Sequence, residues 1–281
     1  MNTKTTEIPG AAGNRIAEAD IRCYEDDGVV CLRGLFNEDW VERLREATAR
    51  SMVEGGVENG PDGAARFHSN MFMWRTDPDF RAFVFESPAA QIAKELMRSK
   101  EVRFYFDHLF VKEAGTQSPT PWHHDQPYWP VRGEQVCSIW VGLDPVTLES
   151  SGLEYVKGSH RWGRRFDPAA FNDRRPEIMA MLHDGENEVL PDIDANRSQY
   201  QFLSWQMEPG DCLVHHSMAV HGASGNSSTK LQRRALSTRW IGDDAVYWPL
   251  PNMKQESRLS APALHRGDKL IDDERFPLIA R

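Results

Sequence analysis

The sequence predicts a mainly β domain, a sandwich or jelly roll with helices packed on it, and three observations carry that expectation. Helical spacing of apolar residues is confined to the part before residue 100. Beyond it the chain becomes a series of short runs rich in branched and aromatic residues, separated by Gly, Pro or Ser turns. A chain of 281 residues can bury a core without a disulfide or metal staple, and β barrels commonly use such a length as one domain.

The elements follow in order. Residues 1–15 read as a polar, frayed arm, with no basic stretch followed by an apolar one and so no signal peptide. A helix is expected over Ala17–Tyr24 and a strand over Val29–Arg33. Asn37 is a good N-cap, Glu38 and Asp39 complement the dipole of the first turn, and Val41, Leu44, Ala47 and Met52 recur at helical spacing. Gly55–Gly63 reads as a loop from its turn residues. A further helix is expected over Asp77–Phe85, and another after Ser87-Pro88, with serine as cap and proline in the first turn. Strands are expected over Val102–Val111, Gln135–Leu143, Leu153–Val156, Gln201–Trp205, Asp211–His215 and Arg234–Ile241. Between them, 163–197 is charged and contains proline, too polar for a core element and more like a lid. The whole, 1–281, reads as one domain: arm, mostly helical part (16–100), β core (101–245) and a tail (246–281) of little periodicity.

Composition narrows the partners. Hydrophobic residues make up 40% and charged residues 27%, which is ordinary for a folded globular chain. The net charge of −9 argues against nucleic acid or an anionic membrane surface, both of which need a basic footprint. No apolar run approaches the roughly 18 residues of a membrane span. Cys23, Cys31, Cys137 and Cys212 lie far apart and form no CxxC, so buried free thiols in a cytoplasmic protein are expected. Nine tryptophans are many; most should be core residues, and some can line a ligand pocket.

The densest polar cluster is Pro121-Trp122-His123-His124-Asp125-Gln126. In an extended segment His123 and Asp125 project to one side, so an imidazole and a carboxylate can converge on a cation. Alone, an H-x-D tripeptide is common by chance and reads as surface histidines before a turn. A second group, His215-His216-Ser217-Met218-Ala219-Val220-His221, ends 98 residues beyond His123, so the fold would have to build any shared site. Two histidines and one carboxylate on one face of a metal leave positions open, as in non-haem Fe(II) oxygenases, whereas a structural zinc site would want four ligands. The residues alone do not select among His215, His216 and His221. Arg233-Arg234 follows; adjacent strand residues face opposite ways, so one can point inward and hold a carboxylate with its planar fork, the other into solvent. No G-x-S-x-G elbow, P-loop or G-x-G-x-x-G motif occurs.

In this order the motifs resemble the phytanoyl-CoA dioxygenase-like (PhyH) branch of Fe(II)/2-oxoglutarate-dependent oxygenases. The carrying segments are Thr120–Asp125, a strand with tryptophan in Val136–Leu143, Ser151-Gly152-Leu153 through Gly158-Ser159-His160, Glu208-Pro209-Gly210-Asp211, His216…His221-Gly222 and Arg233-x-Ala235. The resemblance covers roughly residues 18–245. It implies a double-stranded β-helix (a cupin-like jelly roll), with Fe(II), 2-oxoglutarate and O2 as cofactors and hydroxylation of a small organic molecule as the reaction. It implies His123, Asp125 and His221 as ligands, His216 as a non-ligand, Arg233 as the grip on the far carboxylate of 2-oxoglutarate, and Trp140 beside the cosubstrate. Halogenating relatives lack the carboxylate ligand; Asp125 is present, so hydroxylation or a related oxidation is favoured. The chain departs from relatives that carry serine two residues after the distal histidine: Ala223 stands there, with Ser224 next. Tyr128, Trp129 and the 163–197 excursion are candidate substrate contacts. A metal-retaining binding protein, or a cupin-like hydrolase or isomerase, would differ in consuming no O2 and releasing no succinate.

Overall fold

The computed structural model describes residues 16–59, 65–169, 185–250 and 257–281. The expected arm, part of the Gly55–Gly63 loop and the middle of the 163–197 excursion lie outside them. Among the described residues four α-helices lie ahead of the main run of strands: α1 (Glu18–Asp27), α2 (Glu38–Glu54), α3 (Pro78–Glu86) and α4 (Ala89–Leu96). Their starts follow from capping chemistry. Asn37 accepts from the Trp40 amide at 3.1 Å, and Asp77 from Asp79 and Phe80 at 2.8 and 3.2 Å. Helix α1 runs three residues beyond the expected end, because only at Gly28 does the backbone turn left-handed (φ 81°) and close the last turn onto Tyr24.

Fourteen strands form the rest: β1 (Val29–Leu32), β2 (Val57–Asn59), β3 (Phe67–Met71), β4 (Val102–Lys112), β5 (Thr120–His123), β6 (Val131–Arg132), β7 (Val136–Gly142), β8 (Glu154–Val156), β9 (Phe202–Leu203), β10 (Cys212–His216), β11 (His221–Ala223), β12 (Arg233–Ile241), β13 (Val246–Tyr247) and β14 (Leu278–Ala280). The larger sheet runs β1-β10-β7-β12-β4-β3-β2, with β14 also on β4; the smaller runs β5-β11-β8-β9, and β6 pairs β13. Every ladder is antiparallel. This is the jelly-roll architecture expected from the sequence.

The outer face of the larger sheet, including Phe104, Leu109, Val111, Ile139, Val141, Val214 and Trp240, packs on the four helices as the main core. Its inner face, including Trp140, Leu213 and Ala235, meets Leu153, Tyr155 and Ala223 from the side of the smaller sheet. Period two decides which chemistry points between the sheets. On β12 that face carries Arg233, Ala235, Ser237 and Arg239; on β4 it carries their partners Lys112, Phe110, His108 and Phe106. A bulge at Tyr105, where Arg239 pairs with Phe106 but Trp240 with Phe104, ends this inward run.

Several expectations are corrected. The Gly55–Gly63 loop contains β2, paired with β3, a strand too polar (Phe-His-Ser-Asn-Met) to show in the pattern. The excursion is polar in composition but pinned: Phe166 and Ile193 are buried with Val156 and Val220 in a small core. The tail contributes Leu270 and Phe276 to a buried aromatic cluster and adds β14 to β4. All four cysteines are free, yet only Cys137 and Cys212 are buried; Cys23 is exposed. Among the described residues no helix is long and apolar enough to cross a membrane.

Candidate active site

Strands β5 and β11 pair so that His123 lies opposite His221, and Asp125 follows at the start of the next turn. One ligand atom from each of His123, Asp125 and His221 falls within 4.8 Å of the others, and all three residues are buried. The surroundings fix which atom each residue presents. The Nδ1 atoms of His123 and His221 lie 2.8 and 2.9 Å from the carbonyls of Pro121 and Ala219, as N–H donors must. Both Nε2 atoms are left as acceptors on the same side, 3.6 and 4.0 Å from Asp125 Oδ1.

The other carboxylate oxygen is already engaged. Asp125 Oδ2 accepts from Ser138 Oγ at 2.7 Å and from His215 Nε2 at 3.2 Å, and the Tyr155 hydroxyl donates to His215 Nδ1 at 3.0 Å. Burial opposes ionisation of Asp125, but the bond from His215 and the nearby His123, His221 and Arg239 hold it well below the usual carboxylate range. Burial, then His123 and His215, keep His221 neutral. Two neutral imidazole nitrogens and one carboxylate oxygen, each oriented from behind, fit a divalent metal with open positions.

His215 and His216 separate as strand alternation requires. His215 faces inward and is spent on Asp125. His216 faces the helices, 3.6 Å from the Glu134 carboxylate. Sequence reasoning missed the His215–Tyr155 relay; the alternation of His215 and His216 was its one available signal. We expect His215→Ala to cut metal affinity or turnover by about ten- to a hundredfold, the usual cost of losing a ligand's orienting partner. Equilibrium iron titration of the folded variant checks this, and Tyr155→Phe should show a smaller loss in the same direction.

A cavity of about 390 Å³ opens from the metal group, lined by aromatic residues including Phe106, Phe110, Tyr128, Trp129 and Trp140. Arg233 enters one end, 5.4 Å above the Trp140 ring, with Nε unbonded and only a 3.5 Å contact to Ser151 Oγ. Beside it, buried Lys112 donates to Ser151 Oγ and the Ser224 carbonyl at 2.9 and 3.0 Å. Neither cation has a carboxylate within ion-pair distance among the described residues. Burial, aided by Arg233, lowers Lys112 to about 6, and burial lowers Arg233 to about 10. Lys112 carried no motif, and Ser151 stood only at the start of a matching segment with no role read for it; a left-handed turn (φ 68°) displays it.

Two expectations change here. Arg234 does turn away from Arg233, but not into solvent: its guanidinium grips Asp144 through Nε at 2.9 Å and Nη2 at 2.6 Å. Ser224 turns its hydroxyl to the Leu148 and Gly225 carbonyls, so it does not substitute for the hydroxyl absent at Ala223. Tyr128 and Trp129 line the cavity, and Tyr128 donates to the Ala169 carbonyl at 2.7 Å. The excursion is tied to the site through His124, which accepts from the Phe166 amide at 2.8 Å. The remaining motifs are structural: Asp211 binds Gly34 and Arg33 ahead of β10, and Ser159 accepts from Val220 beside His221.

A jelly roll that aims two imidazoles and a carboxylate at one point, with a buried arginine across the same cavity, defines the non-haem iron, 2-oxoglutarate-dependent oxygenases. Residues 24–235 match the phytanoyl-CoA dioxygenase (PhyH) family, and the chain belongs to it. Among curated proteins it is 26% identical over 238 residues to the multifunctional dioxygenase prhA of Penicillium brasilianum, covering 79% of this chain and 71% of that one. Among solved structures it resembles SnoK, a non-haem α-ketoglutarate-dependent carbocyclase of nogalamycin biosynthesis. That match has a TM-score of 0.73 at 25% identity over 94% of this chain and 97% of SnoK. The fold is also shared with the epimerase SnoN, solved with Fe3+, α-ketoglutarate and a nogalamycin compound, at a TM-score of 0.70 and 23% identity over 93% of this chain and 98% of SnoN.

Proposed function

We propose that the chain hydroxylates a small organic metabolite in the cytoplasm, with His123 Nε2, Asp125 Oδ1 and His221 Nε2 holding Fe(II). The observation that carries the reading is buried Arg233, which lines the cavity that holds the metal group and has no carboxylate within ion-pair distance among the described residues. A buried charge without a counter-ion is costly. The Arg233 fork would hold the far carboxylate of 2-oxoglutarate, with Lys112 and Ser151 beside it and Trp140 as the flat wall, and so gain the counter-ion it lacks. Iron with 2-oxoglutarate supplies the power to activate O2, leaving succinate and CO2. The chain's residues bind and orient: His215 and Ser138 fix the Asp125 carboxylate, while Tyr128 and Trp129 wall the substrate side and help keep the site dry.

Fold does not select the outcome, since SnoK and SnoN are named for carbocyclisation and epimerisation. Asp125 closes the position a halide would need, which favours oxygen transfer. A metabolite panel scored for O2-dependent succinate release, followed by product mass, tests the reading. Succinate release with a product heavier by one oxygen atom supports it. Succinate release without that oxygen overturns hydroxylation and leaves the oxygenase class intact.

Lys112 gives a pH signature. In the empty site it is mostly neutral above about pH 6, and a carboxylate placed beside it favours its charged form. Binding of 2-oxoglutarate at about pH 8 should therefore take up a proton, and affinity should fall as pH rises. Calorimetry in buffers of different ionisation enthalpy measures the uptake; Lys112→Met should abolish it.

A further inference from the structure

A second buried arginine lies in the same cavity and is not explained by cosubstrate. Arg239 is six residues beyond Arg233 on β12, about 20 Å further along an extended strand, and only 4% exposed. The register separates their surroundings. Arg239 pairs with Ser138, whose hydroxyl holds Asp125, whereas Arg233 pairs with Lys112 at the other end of the strand. Arg239 therefore stands at the level of the metal group, beyond the reach of a 2-oxoglutarate stretched from that group to Arg233.

Its wall is aromatic: the guanidinium carbon is 4.8 Å from the Phe106 ring centre and 5.7 Å from that of Trp129. Among the described residues one bond holds it, from Nη1 to the Ser237 carbonyl at 2.8 Å, and Nε is buried without a partner. No carboxylate lies within ion-pair distance among the described residues. Asp125 offers Oδ1 to the metal and binds Ser138 and His215 with Oδ2. Asp107 belongs to the opposite face of β4, accepts from the Trp74 amide at 2.9 Å, and is pushed by burial up to about 7. The two aromatic faces stabilise a guanidinium only in part, and they leave its Nε without an acceptor among the described residues.

Resting on the oxygenase reading of the same site, we propose that Arg239 is a specificity determinant that receives a carboxylate of the substrate. The substrate is then a hydrophobic carboxylic acid whose apolar body lies against Phe106, Phe110, Tyr128 and Trp129. Guanidinium pairs with carboxylate bidentately, and the dry aromatic wall strengthens that pairing while rejecting a neutral head group that cannot satisfy it.

The test titrates phenylalkanoates of increasing chain length, and their matching primary amides, into anaerobic enzyme loaded with Fe(II) and 2-oxoglutarate. Calorimetry reads binding, and the metal-to-2-oxoglutarate charge-transfer band reads the cosubstrate in the same sample. The wild type should bind acid over amide by about ten- to a hundredfold with the band retained. Arg239→Gln should erase the preference, and Arg239→Lys should keep part of it. Equal binding of acid and amide across the series by the wild type, where no variant need fold, overturns the proposal. So does a preference that survives Arg239→Gln, or an acid that binds only by displacing the band, since it would be reading Arg233. A wild type with no band defeats the iron and 2-oxoglutarate reading separately; acid preference and its loss in Arg239→Gln remain measurable by heat.

Discussion

Alanine in place of His123, Asp125 or His221 should each lower iron-dependent turnover by more than about a hundredfold, beyond the cost of losing an orienting partner, and leave the fold intact. The three side chains lie between the sheets, whereas the main core lies on the outer face against the helices, so that core keeps its packing when a ligand is truncated. Asp125→Ala differs from the other two. It also strips the acceptor from His215 and Ser138 and removes the larger of the two carboxylate influences, Asp125 ahead of Asp107, that favour the charge on Arg239. It should therefore lose thermal stability as well as iron, while His216→Ala, on the other face of β10, should keep iron. Circular dichroism with iron quantification on the same samples checks all four. Full iron occupancy and turnover in any ligand variant would remove that residue from the set.

The second large effect separates two adjacent arginines. Arg233→Lys keeps charge but loses the fork, and 2-oxoglutarate affinity should fall about ten- to a hundredfold, by the usual worth of charge-assisted bonds of about 1.5–3 kcal/mol. Iron affinity should hardly change. Arg234→Lys should spare 2-oxoglutarate but lower the melting temperature, because it breaks a two-pronged grip on Asp144, itself bonded to the Arg234 amide at 2.8 Å. Alternation alone suggested a silent surface change there. The pairing with Asp144, 90 residues earlier, is tertiary and left no local trace.

What was legible in the sequence divides along the same line. Caps and helix periodicity located the four helices to within a few residues, because a cap such as Asn37 acts on its own neighbours; the stop at Gly28 went unread, and α1 runs three residues further. Long strands with branched and aromatic residues were equally visible. Strands β3, β5 and β11 were not, since a few residues such as His221–Ala223 carry no period and exist only through their partners. The H-x-D segment and the two histidine groups were visible as chemistry, and period two already separated His215 from His216. Choosing His221 from spacing was impossible, because its place opposite His123 depends on the pairing of β11 with β5. Lys112 and Arg239 were invisible for a different reason. Each is an ordinary charged residue in a strand, and its meaning comes from burial with no carboxylate at ion-pair distance among the described residues.

The central claim is that one cavity holds iron at His123, Asp125 and His221 and 2-oxoglutarate between that iron and Arg233. Anaerobic titration of 2-oxoglutarate into the Fe(II)-loaded protein, followed by the charge-transfer band, tests it most directly. A saturable band in the wild type, weakened by Arg233→Lys and absent from His221→Ala, is the predicted result. No band in the wild type, or one of unchanged midpoint in Arg233→Lys, would contradict it.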